Sequence, residues 1–198
     1  MKTEGEGPTP AAMNANQAMS QYAQGDDKAF EIVYDAVAPR LEGYLRRHVR
    51  EASRIEDIIQ QTFMHMHDKR GTFTVGAEVL PWACTIARNF MIDSARKTQR
   101  ESTKDMSDER ESLGAHLMAA VETAEQVVQA RQTKERLLLA FGALSEPQRE
   151  AFTLVKLEGL SVAEAAQVLG TTENGVKLRI HKANITLRAA IDADPQPC

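Results

Sequence analysis

At 198 residues, with 42% hydrophobic and 5% aromatic content, the chain carries enough apolar material for one domain or two small ones. Its net charge is −4, and its two cysteines, Cys84 and Cys198, sit in no CxxC pattern, which argues against a disulfide framework or a zinc site. No apolar run approaches the roughly 20 residues of a membrane-spanning helix.

Helical periodicity dominates and strand alternation is almost absent. The expected fold is all-α: two small helical domains joined by a flexible acidic linker. The charge distribution sets the boundaries. Residues 1–100 hold 13 Lys/Arg and 13 Asp/Glu, residues 101–130 hold 2 against 7, and residues 131–198 hold 9 against 8. The acid excess therefore lies in one middle segment, between halves that each keep a basic helix face.

Residues 1–19, acidic and rich in Gly and Pro, read as a disordered tail. They lack the apolar core of a secretion signal, and the cysteine usage fits a reducing cytoplasm. The first domain is expected over residues 20–100. Within Asp26–Arg50, Phe30, Val33, Tyr34, Val37, Leu41, Tyr44 and Leu45 form an apolar stripe, with Pro39 expected to kink or interrupt the helix. In IEDIIQQTFMHMHD (55–68), Ile55, Ile59, Thr62, Phe63 and Met66 point one way. Asp57, Gln60, Gln61 and Met64 point the other, and an exposed methionine there suits a protein contact better than a merely solvated face. His65 and His67, two apart on a helix, diverge too far to share a metal.

GTFTVGAEVL (71–80) reads as a loop, and Pro81 as the start of a helix. In WACTIARNFMIDSARKTQR, Asn89, Asp93, Arg96 and Arg100 recur at helical spacing, and residues 88–100 hold four cations and one acid. Asp93 is placed to pair with Arg96 or Lys97. Asn and Arg read bases, and Arg and Lys grip phosphates. Cys84 is expected to be a small core residue.

Residues 101–130 begin as a polar, acidic linker, and apolar positions return with helical spacing from about Leu117. The second domain is expected over 131–192, with 193–198 a frayed tail. Its organising stretch is SVAEAAQVLGTTENGVKLRIHKANITLRAA (161–190). Ser161 and Glu164 form a capping box, Gly170 a left-handed C-cap, and Thr171 or Thr172 the cap of a second helix. Val162, Ala165, Ala166 and Leu169 face inward from the first helix. Val176, Ile180, Ala183 and Leu187 fall on one face of the second. Asn174, Lys177, Leu178, His181, Lys182, Ile185 and Arg188 fall on the other, an arrangement suited to a helix-turn-helix in a major groove. An ordinary αα-hairpin with a solvated face shows the same periodicity.

Taken together, EDIIQQTF, the PW–IARNFMID–R segment, the acidic linker and the LSEPQREAFTLVKLEGLSVAEAAQVLG helix-turn-helix resemble the bacterial sigma factors. The closer likeness is to the two-domain extracytoplasmic-function group of the sigma-70 family, over residues 20–191. The resemblance implies a core RNA polymerase contact, on the β′ clamp helices, at Asp57, Gln60, Gln61 and Met64. It implies melting and reading of the −10 promoter element by Arg88, Asn89, Arg96, Lys97 and Arg100, with the 71–80 loop holding a flipped base. It assigns the −35 element to Asn174, Lys177, Leu178, Arg179, His181 and Lys182, with Arg179, toward the helix flank, on phosphate. An anti-sigma factor and the polymerase β subunit are further implied partners, and no cofactor or metal is expected. Ala83 and Cys84 stand where the family usually has leucine after the tryptophan, a change of core packing. Two other readings compete: a sigma-like mimic that sequesters an anti-sigma factor, and a free-standing helix-turn-helix repressor. An enzyme is not expected, because no nucleophile–base pair, phosphate loop or metal cluster is visible.

Overall fold

The computed structural model describes the backbone of residues 14–101 and 124–192, with side chains over 14–97, 131 and 133–192. The chain divides into two compact units, one within residues 1–107 and the other within 108–198. Among the described residues both are helical and contain no strand.

The first unit is built from α1 (Ala15–Ala23), α2 (Ala29–Arg46), α3 (Ala52–Asp68) and α4 (Val79–Glu101). Helix α1 corrects the expected boundary of the tail at residue 19. The Asn14 side chain accepts the Gln17 N–H at 2.9 Å while Gln17 accepts the Asn14 N–H, a reciprocal cap that starts a helix within the polar NANQ segment. Ala18, Met19 and Tyr22 then share one buried face against α2.

Pro39 does not break α2, which runs unbroken from Ala29 to Arg46. Proline removes one backbone donor, but Pro39 is exposed, so the carbonyl it leaves unpaired can bond water. Val33, Val37, Leu41, Tyr44 and Leu45 are buried, whereas Tyr34 is 44% exposed and lies outside the core. In α3 the inward stripe is Ile55, Ile58, Thr62, Phe63 and Met66. Ile58 is buried in the place expected of Ile59, which is half-buried; both lie beside the stripe on a 3.6-residue helix, so periodicity does not choose between them. Thr62 tolerates full burial by donating its hydroxyl to the Ile58 carbonyl at 2.7 Å.

Helix α4 starts two residues before Pro81, which therefore sits in the first turn and interrupts no internal bond. Ala83, Cys84 and Ala87 are fully buried, and these small side chains let α4 cross α2 and α3 closely. Arg54 Nε donates to Ser94 Oγ at 2.5 Å and ties α3 to α4.

The second unit contains α5 (Ala124–Ala143), α6 (Glu146–Phe152), α7 (Val162–Leu169) and α8 (Glu173–Asp192). Helix α5 begins seven residues before the expected domain start at 131, within the segment read as linker. The acidic part of that linker, including Leu117, lies outside the described residues, as do residues 1–13 and 193–198. Ser145 and Gln148 cap α6 reciprocally. Phe141, Leu144, Ala183 and Leu187 form a core cluster, with Leu137, Ala140 and Phe152 packed on it. After Phe152 the chain widens into a π turn at Thr153–Leu157, closed by the Glu158 N–H on the Thr153 carbonyl at 2.9 Å.

Candidate functional site

The candidate residues fall on three exposed faces, and each follows from how its helix is buried. On α3, burial of Ile55, Ile58 and Met66 leaves Asp57, Gln60, Gln61 and Met64 outward, with Met64 61% exposed. Gln60 and Met64 also line a groove of about 790 Å³ bordered by α2 and α3, which Asp57 and Gln61 do not reach. Its wall is a run of aromatic rings: Tyr22–Phe30 at 5.3 Å, Phe30–Phe63 at 6.1 Å and Tyr34–Phe63 at 4.7 Å between centroids. Asp27, Asp35, Glu42 and Glu56 stand among its lining residues.

Sequence reasoning assigns Phe30 and Tyr34 to the core stripe and so misses this groove. The available signal is the width of the α2 stripe. Phe30 and Tyr34 at i, i+4 run beside Val33 and Val37, more apolar surface than one packing face needs.

The two histidines of the HxH pair do diverge. His65 packs edge-on against Phe90, with centroids 5.9 Å apart, whereas the Tyr22 hydroxyl meets His67 Nδ1. Burial pushes the Tyr22 phenol above its ordinary range despite the opposing charge of Arg70. Arg70 lies over the Tyr22 ring at 5.3 Å. Among the described residues no group of three or more His, Cys, Asp or Glu side chains is set to hold a metal.

On α4, Asn89, Asp93, Arg96 and Lys97 are all exposed, and Arg88 is half-buried on the flank. Arg96 Nη1 lies 3.6 Å from Asp93 Oδ1, both side chains being about 70% exposed, a pairing of at most ~1 kcal/mol that a phosphate can displace. The Arg100 side chain lies outside the described residues. The 71–80 segment opens as a short 3-10 turn (Arg70–Thr72) and closes as the first two residues of α4. Between them Phe73 is buried against Trp82, their centroids 5.2 Å apart, and Val75 at the tip is exposed.

On α8, Val176, Ile180, Ala183 and Leu187 are the buried stripe. Asn174, Lys177, Leu178, His181, Lys182, Ile185 and Arg188 are exposed, and Arg179 is half-buried at the flank. The turn before it is specified residue by residue. Glu164 N–H donates to Ser161 Oγ at 3.2 Å and Ser161 N–H to Glu164 Oε2 at 2.7 Å. Gly170 adopts φ 59°, and the Thr171 N–H reaches back to the Ala166 carbonyl at 3.0 Å, the Schellman closure that ends α7. Thr172 Oγ1 then accepts the Gly175 N–H at 3.1 Å and caps α8. Val168 joins Ala165, Ala166 and Leu169 in the core, whereas Val162 is only half-buried. Lys177 Nζ lies 3.7 Å from Glu173 Oε2, so the most forward cation of this face is held along the helix by an exposed carboxylate.

A four-helix unit with an exposed polar α3 face and a second unit ending in a helix-turn-helix with a cationic outer face define a bacterial promoter-recognition factor. The family profiles agree: Sigma-70 region 2 matches residues 33–101, and Sigma-70, region 4 matches residues 134–184. Over 86% of this chain and 93% of the relative, it is 31% identical to RNA polymerase sigma factor CarQ of Myxococcus xanthus. It is also 31% identical to the ECF RNA polymerase sigma factor BldN of Streptomyces coelicolor, over 93% of this chain and 70% of the relative. The structure of the sigma factor RpoE in complex with the anti-sigma factor NepR from Bartonella quintana superposes with a TM-score of 0.67 at 26% identity, covering 85% of this chain and 99% of that one. CnrH, solved in complex with the cytosolic domain of CnrY, shares the fold with a TM-score of 0.65 at 24% identity, over 92% of this chain and 100% of that one.

The chain belongs to the sigma-70 family of RNA polymerase sigma factors, in its extracytoplasmic-function (ECF) group. It is a regulator of transcription that directs initiation at promoters. Among the described residues, no helix is long and apolar enough to cross a membrane.

Proposed function

We propose that this sigma factor divides its work among the three faces, without catalysing a reaction itself and within the cytoplasm, where polymerase and DNA are. The α3 face (Asp57, Gln60, Gln61, Met64) docks on the β′ clamp helices of core polymerase. The α4 face (Arg88, Asn89, Arg96, Lys97, Arg100) with the preceding loop opens and reads the −10 element. On α8, Asn174, Leu178, His181 and Lys182 face −35 bases or phosphates together with Lys177, and Arg179 grips phosphate. The observation that carries the reading is the clean division of α8. Every one of its four buried residues lies on one face, and the opposite face presents an amide, two lysines and an imidazole at the spacing of a groove-reading helix.

An anti-sigma factor is the second partner in this reading. RpoE, 26% identical over nearly its whole length, was solved with one, and here Ile185 and the aromatic groove offer apolar surface beyond what DNA needs. The repressor alternative leaves the α3 face without a role, and a mimic has no use for the cationic faces of α4 and α8.

The test is transcription in vitro by purified bacterial core polymerase over a genomic promoter library, with and without the protein. Specific initiation is expected only with it. Replacing Asp57 and Gln61 together by alanine should weaken core binding with an unchanged helical circular-dichroism signal. Undiminished core affinity in that double variant sinks the α3 assignment.

A further inference from the structure

Helix α1 makes three hydrogen bonds that join it to one short segment of the chain. Asn16 Oδ1 accepts the backbone N–H of Val79, the first residue of α4, at 3.0 Å. Its Nδ2 donates to Glu78 Oε2 at 2.6 Å. One turn on, Ser20 Oγ accepts the Gly76 N–H at 3.1 Å while donating its own proton to the Asn16 carbonyl at 2.9 Å.

These bonds fall where the sequence supplies no local device. The residue before α4 is Glu78 rather than a Ser, Thr, Asp or Asn that caps well, and a helix start leaves its first N–H groups without partners. Asn16 provides that cap from another helix. Gly76 occupies φ 85° at the third position of a turn closed by the Ala77 N–H on the Thr74 carbonyl at 3.0 Å. Ser20 holds the turn at that glycine. The Phe73 ring, buried beside Trp82, anchors the near end. Thr74 and Val75 are left as an exposed tip, with Val75 59% exposed. A segment pinned at three points with an uncovered apolar tip is shaped to meet something.

We propose that α1 is a brace for the strand-opening loop: Asn16 and Ser20 are positioning residues that hold the 73–78 turn ready to receive an unstacked promoter base. The inference rests on the reading of this loop as part of the −10 head. Extruding a base costs a few kcal/mol of stacking, so a receiving loop already in shape spares the ordering cost at the moment of opening.

The experiment measures how holoenzyme, reconstituted from core polymerase and the full chain, binds a fluorescent single-stranded oligonucleotide. The oligonucleotide carries the −10 element of a promoter the holoenzyme transcribes. Ser20→Ala should weaken binding about fivefold, the net worth of one hydrogen bond, and Asn16→Ala, which removes two, by more than that, with core affinity unchanged in both. The double exchange Asn16→Asp with Glu78→Gln keeps an acceptor for the Val79 N–H and reverses the donor of the second bond, so it should restore binding where Asn16→Asp alone does not. Unchanged core affinity in each variant separates a displaced loop from a loss of folding. Val75→Asp, at the tip, should abolish oligonucleotide binding. If Val75→Asp weakens binding and neither α1 variant does, the brace is overturned and the loop reading stands. If Val75→Asp has no effect, the loop reading fails and the brace with it. Loss of core affinity in step with oligonucleotide binding overturns the brace as well.

Discussion

Leu178 is 55% exposed on a face it shares with Asn174, Lys177, His181, Lys182, Ile185 and Arg188. It is the sixth residue of α8, in the part of a recognition helix that reaches base edges. The major groove offers one apolar group, the C5 methyl of thymine, so an exposed leucine there gains most by covering it. Leu178 should therefore specify a thymine in the −35 element. Replacing that thymine by deoxyuridine removes only the methyl and should cost about 1 kcal/mol of binding by the holoenzyme, the order of one buried methyl. Leu178→Ala should lose most of the distinction between the two bases. Equal discrimination by the wild type and Leu178→Ala would assign the leucine to a protein contact instead. The imidazole and ammonium groups beside it carry no such signature. Lys177, 3.7 Å from Glu173, would give up only a weak exposed ion pair on moving to DNA.

Helix α8 and its turn are legible in the sequence because every determinant is local. Ser161, Glu164, Gly170 and Thr172 act within a few residues of themselves, and 3.6-residue periodicity then sorts Val176, Ile180, Ala183 and Leu187 from the rest. This local logic makes Gly170 the sharpest point to test. An alanine there must hold φ 59°, which costs an L-residue about 1 kcal/mol or more, although nothing lies near the added methyl. Gly170→Ala should lower the stability of the second unit by about that amount in urea unfolding, with the first unit unaltered. A full-strength midpoint would show that the turn relaxes at no cost. What is illegible depends on neighbours. α1 is short and rich in Asn and Gln, and its helix is stabilised by burying Met19 and Tyr22 against α2, contacts no local pattern announces. Ile58 and Ile59 are chemically alike, and only the packing of α3 decides which is core. The aromatic groove likewise exists because α2 presents more apolar width than its neighbours cover.

At the scale of the molecule, the two faces proposed to read DNA lie on two units, and the chain as a whole is acidic, with net charge −4. Phosphate contacts from a few cations on each face supply little affinity by themselves, and less at physiological salt. In the proposed division of labour the two faces gain strength when core polymerase presents both to one promoter, because the second contact then becomes intramolecular. Each face should consequently answer to its own half of the promoter. Lys177→Ala should cost about 1–3 kcal/mol if it makes a good base contact and less if it grips phosphate, and its effect should largely vanish on a template with a scrambled −35 element. Asn89→Ala should lose discrimination at the −10 element and slow strand opening, with −35 binding retained. The measurement is open-complex formation by holoenzyme in a double-mutant cycle that pairs each protein variant with each altered promoter. Coupling of Lys177 to the −10 bases, or no coupling of either residue to its own element, would defeat the division of labour. Tight, specific promoter binding by the isolated chain at physiological salt would turn the argument toward a repressor, since polymerase would then have nothing to add.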